Sequence, residues 1–303
     1  MTQESMVGVA GQVVEWISSS DGRLAVEIRG PDRNPAVVCL HGLTASRVTW
    51  RPLADRSPDS RFLLVDLLGR GLSDAPSGAR YDLRSEVRRL ATVLDALGIR
   101  RPLLAGHSHG AALAVAAARQ VDACGLLLVN PVPPDLARPF LLRLLDYAAL
   151  RAVLGPALRL FRRPLTRYIL VRRVFAEPAA VPPGLTDRYA EPWGDAARAA
   201  VLPRILADWD PAELGGCEVP GGIPIVVIAG GKDRRINPES ARRWAAALGA
   251  TFHVAEGCGH SIPEERTTEL AAELEALLTR ILTEERKGRK DDQERSVDST
   301  PGS

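Results

Sequence analysis

The feature that most constrains this chain is Gly106-His107-Ser108-His109-Gly110, set between two runs of opposite character. Ahead of it, residues 103–105 form a short apolar run that predicts a buried strand. Behind it, residues 111–119 are nearly all alanine with Leu113 and Val115, which predicts a tightly packed helix. The two glycines let the backbone turn sharply between these elements, so Ser108 is pushed out at the tip. The N–H of His109 then points from a helix start toward the place where an oxyanion would form. Glycine and serine are common in any turn. It is the flanking strand and helix that make Ser108 a candidate nucleophile.

Strand and helix signals alternate around this point. Residues 13–17 and 24–28 have strand-like composition on either side of Asp21-Gly22, a hairpin signal. Residues 36–40 predict a central strand, ending in His41-Gly42-Leu43-Thr44-Ala45-Ser46 ahead of a short helix with Trp50 and Leu53. Residues 62–65 predict the next strand, followed by a glycine-punctuated loop over 66–74. Residues 82–97 carry a helical stripe at Leu83, Val87, Leu90, Leu94 and Leu97, with Asp82 as N-cap and Gly98 as stop. After the buried strand predicted over 125–129, the expected class is α/β: a mostly parallel, doubly wound sheet covered on both faces.

The alternation breaks at Asn130. Between Pro131 and Pro211 lie 12 of the 23 prolines, a density expected to cut helices short. The expected organisation is a core over residues 1–130 and 206–284 with a helical cap over 131–205 inserted in it. Alternation resumes with strand 225–229, helix 238–248, strand 251–255 and a long amphipathic helix over 264–282. Residues 285–303 are charged without apolar periodicity, which predicts a disordered tail.

Composition narrows the function. A net charge of +2 on 303 residues gives no argument for a nucleic-acid partner. The first twelve residues lack a basic region followed by an apolar core, and no run of 18 apolar residues occurs. A cytoplasmic protein without signal peptide or membrane span is therefore expected. Cys39, Cys124, Cys217 and Cys258 are scattered and expected to be reduced. The cap is rich in arginine, with Asp146 the one acid between Leu136 and Phe175. One reading is a cationic surface for an anionic substrate, a carrier-bound acyl thioester or an acidic membrane. The other is an ordinary solvated face. With three lysines against 36 arginines the bias is chain-wide, which favours the solvated face.

A serine hydroxyl needs a base to take its proton, and the base needs a carboxylate to hold its tautomer. Asp233 follows the strand 225–229 and His260 follows the strand 251–255, so both leave carboxyl ends of parallel strands, as Ser108 does. Asp208, Asp210 and Asp135 compete for the acid role, but the first two precede their strand and the third is displaced from it. His107 and His109 form an H-x-H pair, and Cys39/His41 and Cys258/His260 have C-x-H spacing. The elbow explains the pair and core cysteines explain the rest, so no metal and no cofactor is expected.

The set His41-Gly42, Asp66-x-x-Gly69-x-Gly71-x-Ser73, Gly106-x-Ser108-x-Gly110, Gly230-x-x-Asp233 and Gly259-His260 resembles the α/β-hydrolase superfamily over residues 13–283. The resemblance implies catalytic Ser108, Asp233 and His260, with backbone N–H groups of Leu43 and His109 as oxyanion hole. It places His41, Gly42 and Trp50 around the pocket, with Trp50 equally suited to the core. Some relatives carry the acid after the preceding strand, where this chain has Asn130. The chain also departs from the common pattern at Ala111, Leu67, Leu68 and Arg70. A serine nucleophile disfavours dehalogenase and epoxide hydrolase activity. The expected activity is a serine hydrolase for a small to medium, fairly apolar carboxylic ester. Acyl thioesterase, C–C bond hydrolase and non-catalytic ligand-binding receptor remain alternatives.

Overall fold

The computed structural model describes residues 4–7, 13–136 and 144–298. Short apolar runs become strands: β1 (Glu4–Val7), β2 (Val13–Ser19), β3 (Gly22–Arg29), β4 (Val37–Leu40), β5 (Phe62–Val65), β6 (Leu103–His107), β7 (Gly125–Val129), β8 (Ile225–Gly230) and β9 (Thr251–Ala255). Among the described residues they form one sheet in the order β1-β2-β3-β5-β4-β6-β7-β8-β9. The first three strands and the β3–β5 pair are antiparallel, and every pairing from β5 to β9 is parallel. The predicted α/β class and doubly wound sheet are therefore observed.

Helices cover both faces: α1 (Arg51–Arg56), α2 (Leu83–Ala96), α3 (His109–Ala117), α4 (Ala148–Ile169), α5 (Leu185–Ala190), α6 (Ala196–Asp208), α7 (Pro238–Ala247), α8 (Ile262–Glu265) and α9 (Thr267–Asp298). Alternate residues of each strand feed opposite layers. Val38, Leu40, Leu104 and Leu126 join a core with α2 and α3, while Val37, Cys39, Leu103 and Leu127 join a second core with α1 and α9. Asp82 caps α2 by accepting from the Ser85 N–H at 2.9 Å.

The strand order reverses between β4 and β6. The chain leaves β4 toward β5 on one side and enters β6 on the other. Loops that diverge in this way leave a crevice at the carboxyl ends of the strands. Residues 41–43 and the Ser108 turn are the loops that flank it.

Between β7 and β8, helices α4, α5 and α6 stand over the sheet. The expectation that prolines cut these helices short fails for α4, which runs 22 residues through Pro156 and Pro164. Both prolines are exposed, so the carbonyls they leave unpaired can face water. A second difference is at the far end. Helix α9 continues to Asp298, so residues 285–298 are helical where the sequence predicts no regular structure. Glu, Lys and Arg are good helix formers and need no buried face to propagate a helix already begun. Residues 299–303 lie outside the described residues, as does part of the expected cap at 137–143.

Tyr189 of α5 ties this layer to the sheet below. Its hydroxyl meets Thr49 Oγ1 at 2.7 Å and donates to Glu264 at the base of α8, which also accepts from Ser261. Burial raises the Glu264 carboxyl to about 7 despite those two donors. The unfolded chain titrates the same group at about 4.5. Between these values the folded protein holds a proton that the unfolded chain has lost. Stability from this group thus falls as pH rises through that window and is lost above about pH 7. Glu264→Gln removes the effect. Its stability relative to wild type should rise by on the order of a few kcal/mol between pH 5 and pH 8 in paired urea melts. A difference that stays flat would contradict it.

Candidate active site

Ser108 links β6 to α3 with φ 55° and ψ −114°, a conformation costing about 1–3 kcal/mol for a residue with a side chain. Close packing holds it there. A Cβ at position 106 would lie 2.3 Å from the Gly110 carbonyl oxygen, and one at position 110 would lie 2.1 Å from the Leu40 carbonyl oxygen. Both glycines are therefore demanded by contact distance. The Ser108 N–H donates to the Val129 carbonyl at 2.9 Å, pinning the turn to the next strand.

His260 follows β9 and is 4% exposed. Its Nδ1 lies 2.7 Å from Asp233 Oδ2. The other carboxylate oxygen of Asp233 accepts the N–H groups of Arg235 at 2.7 Å and Ile236 at 3.1 Å. Burial alone would raise the Asp233 carboxyl. The His260 ring and the two N–H donors outweigh it and hold the group below its ordinary value. The competing acids are engaged elsewhere. Asp208 accepts from the Tyr81 N–H at 2.9 Å, Asp210 caps the turn at Ala212, and Asp135 lies 3.8 Å from Arg243.

Ser108 and His260 open onto one cavity. Gly42 and Leu43 share its floor, and Leu158, Leu165, Ile169 and Trp193 come down from the helices above. Among the described backbone bonds the N–H groups of Leu43 and His109 meet no carbonyl. His41 sits behind the floor. Its Nε2 accepts from the Leu67 N–H at 3.0 Å, so Nδ1 carries the proton and donates to the Gly42 carbonyl at 2.8 Å. Burial lowers this ring to about 4, so it is neutral and structural. Trp50 is fully buried with Leu53 and Phe62 beneath the sheet rather than on the cavity wall.

Several residues in this geometry had no role in the sequence reading. Arg70, fully buried, donates to the Leu43 carbonyl at 3.2 Å and the Leu68 carbonyl at 2.8 Å, and pairs with Glu86. Glu86 in turn lies 2.7 Å from His109 Nε2. Burial works against this carboxylate, yet Arg70 and His109 hold it down to about 2. One guanidinium therefore connects the loop of Leu43 to the residue after Ser108. His107 turns the opposite way, its Nε2 2.7 Å from the His260 carbonyl, so the H-x-H pair diverges. Burial lowers its ring to about 3. Asn130 accepts the Gly230 N–H at 2.7 Å and donates to the His260 carbonyl at 2.7 Å. The His260 N–H donates to Val174 at 2.6 Å. Arg70 showed in the sequence only as a departure from a pattern; partners so distant in the chain leave no local signal.

Comparison with known proteins bears on the fold and the family. The family model described as "Alpha/beta hydrolase family" matches residues 37–273. Lipase LipV of Mycobacterium tuberculosis is 27% identical over 271 residues, 84% of this chain and 97% of that protein. A 2-succinyl-6-hydroxy-2,4-cyclohexadiene-1-carboxylate synthase of Pectobacterium atrosepticum is 39% identical over 107 residues, 35% of this chain and 42% of that protein. A Bacillus subtilis relative, 45% identical over 100 residues, is likewise spanned over 36% of its length. An alpha/beta hydrolase fold protein from Burkholderia ambifaria superposes with TM-score 0.75 at 23% identity, over 90% of this chain and 99% of that one, a likeness of fold. Among the described residues no helix is long and apolar enough to cross a membrane. The family match spans most of the chain, and the protein belongs to the alpha/beta hydrolase family.

Proposed function

We propose that this hydrolase cleaves carboxylic esters of small to medium, fairly apolar substrates through a serine acyl-enzyme. The observation that carries the reading is that Ser108 and an Asp233-bound His260 both line one mostly apolar cavity. In this mechanism His260 Nε2 takes the Ser108 proton as Oγ attacks the acyl carbon, and Asp233 holds the Nδ1–H tautomer and stabilises the imidazolium. The Leu43 and His109 N–H groups receive the oxyanion, a function worth about 100- to 1000-fold per donor. His260 returns the proton to the departing alkoxide, then deprotonates the water that releases the acid.

A second reading has a specific observation behind it. Arg162 and Arg235 stand on the wall of this mostly apolar cavity, which favours a substrate bearing a carboxylate. The synthase relative, whose name contains a carboxylate, points the same way. A panel of neutral nitrophenyl esters, acyl thioesters and carboxylate-bearing diketones separates ester, thioester and C–C cleavage.

Ser108→Ala should fold normally and lose roughly a millionfold in turnover, with no labelling by a fluorophosphonate probe. Near-full activity in that variant would end the nucleophile assignment, and a wild type that neither labels nor turns over would favour a receptor. Asp233→Asn should keep its melting temperature within a few degrees while turnover falls by about 10,000-fold. A loss under tenfold would return the acid role to another carboxylate.

A further inference from the structure

Helix α4 presents two apolar faces. Leu158, Leu165 and Ile169 look into the cavity. On the adjoining side Val153, Leu160, Phe161 and Tyr168 are 68%, 73%, 57% and 60% exposed. At 3.6 residues per turn these four fall in one stripe roughly 100° wide, with Ala157 and Pro164 between them. Tyr147, just ahead of the helix, adds another exposed ring. Scattered exposed leucines need no explanation, but a continuous stripe does.

The charge beside that stripe has one sign. Helix α4 contains five arginines and no carboxylate. Arg159, Arg163 and Arg167 are exposed along one edge of the stripe, and Arg172 and Arg173 follow in the next turn. Arg163 is shared with the exposed Asp187 of α5 at 3.0 Å. The solvated-face reading of the sequence accounts for the arginines, but not for the leucine and aromatic rings set among them.

We infer that the outer face of α4 docks on a membrane surface rich in anionic lipid, with the helix lying in the interface plane. Leu160, Phe161 and the tyrosine rings enter the headgroup boundary, and the guanidinium groups meet lipid phosphates. A second copy of the chain suits this face less well. A two-fold contact would bring Arg163 and Arg167 of both copies together, with no acid on the helix to separate them.

The test is co-sedimentation with vesicles of phosphatidylcholine alone or mixed with phosphatidylglycerol. Wild-type protein should bind the mixed vesicles about tenfold or more better than the neutral ones, less so as salt is raised. Leu160→Ser/Phe161→Ser should lose about tenfold in binding to mixed vesicles, and Arg163→Gln/Arg167→Gln should bind both vesicle types alike. Melting temperatures report whether each variant is folded, and Ser108→Ala, measured alongside, should bind as wild type, so the result is independent of hydrolysis. Failure of wild type to bind the mixed vesicles, or equal binding by the Leu160/Phe161 variant, would overturn the inference. A wild-type dimer that this variant dissolves would overturn it too, assigning the face to self-association.

Discussion

The contact between Gly110 and the carbonyl of Leu40 sets the distance between α3 and the central strand. No methyl group fits there, so the helix start, the serine ahead of it and the loop after β4 occupy one fixed relation. Everything chemical in the molecule is measured from that point. The alanines of α3 belong to the same constraint, since small side chains are what let the rest of the helix follow its first turn down onto the sheet.

Around this rigid centre the polar groups form two separate networks. One, built on Arg70 and Glu86, braces the floor of the cavity from below and is wholly buried. Such a pairing is costly to assemble and costlier to break, which suits a part that must not move. The other, through Tyr189 and Glu264, joins the overlying helices to the core near His260 and contains a carboxyl close to its titration point at neutral pH. In the first, Arg70 and His109 hold the Glu86 carboxyl far below neutral pH, whereas in the second burial brings the Glu264 carboxyl close to it. Rigidity is concentrated where an oxyanion would be held, and adjustability where a substrate would enter.

Much of the fold was legible because its signals are local. Short apolar runs, Asp82 and Gly98 at the ends of α2, and the turn at Asp21-Gly22 all act within a few residues. The pairing of Asp233 with His260 could be anticipated because each follows a parallel strand, so chain order stands in for position in space. The contacts of Arg70, Glu86, Asn130 and Tyr189 were silent for the opposite reason: their partners are distant in sequence. The prolines of α4 misled because the rule against them assumes a carbonyl with nowhere to turn, and here that face is open to water. Helix α9 ran on because Glu, Lys and Arg have the propensity to propagate a helix already begun.

Asn130 has a consequence for how such a site can change. Its side chain accepts from one neighbour and donates to another, bridging the strand that leads to Asp233 and the carbonyl of His260. An aspartate in its place could keep the first bond but would set carboxylate oxygen against carbonyl oxygen in the second. An ionised carboxylate at position 130 would therefore be repelled by the carbonyl that the amide now satisfies. The amide at this position fits both neighbours, and a carboxylate fits only one of them.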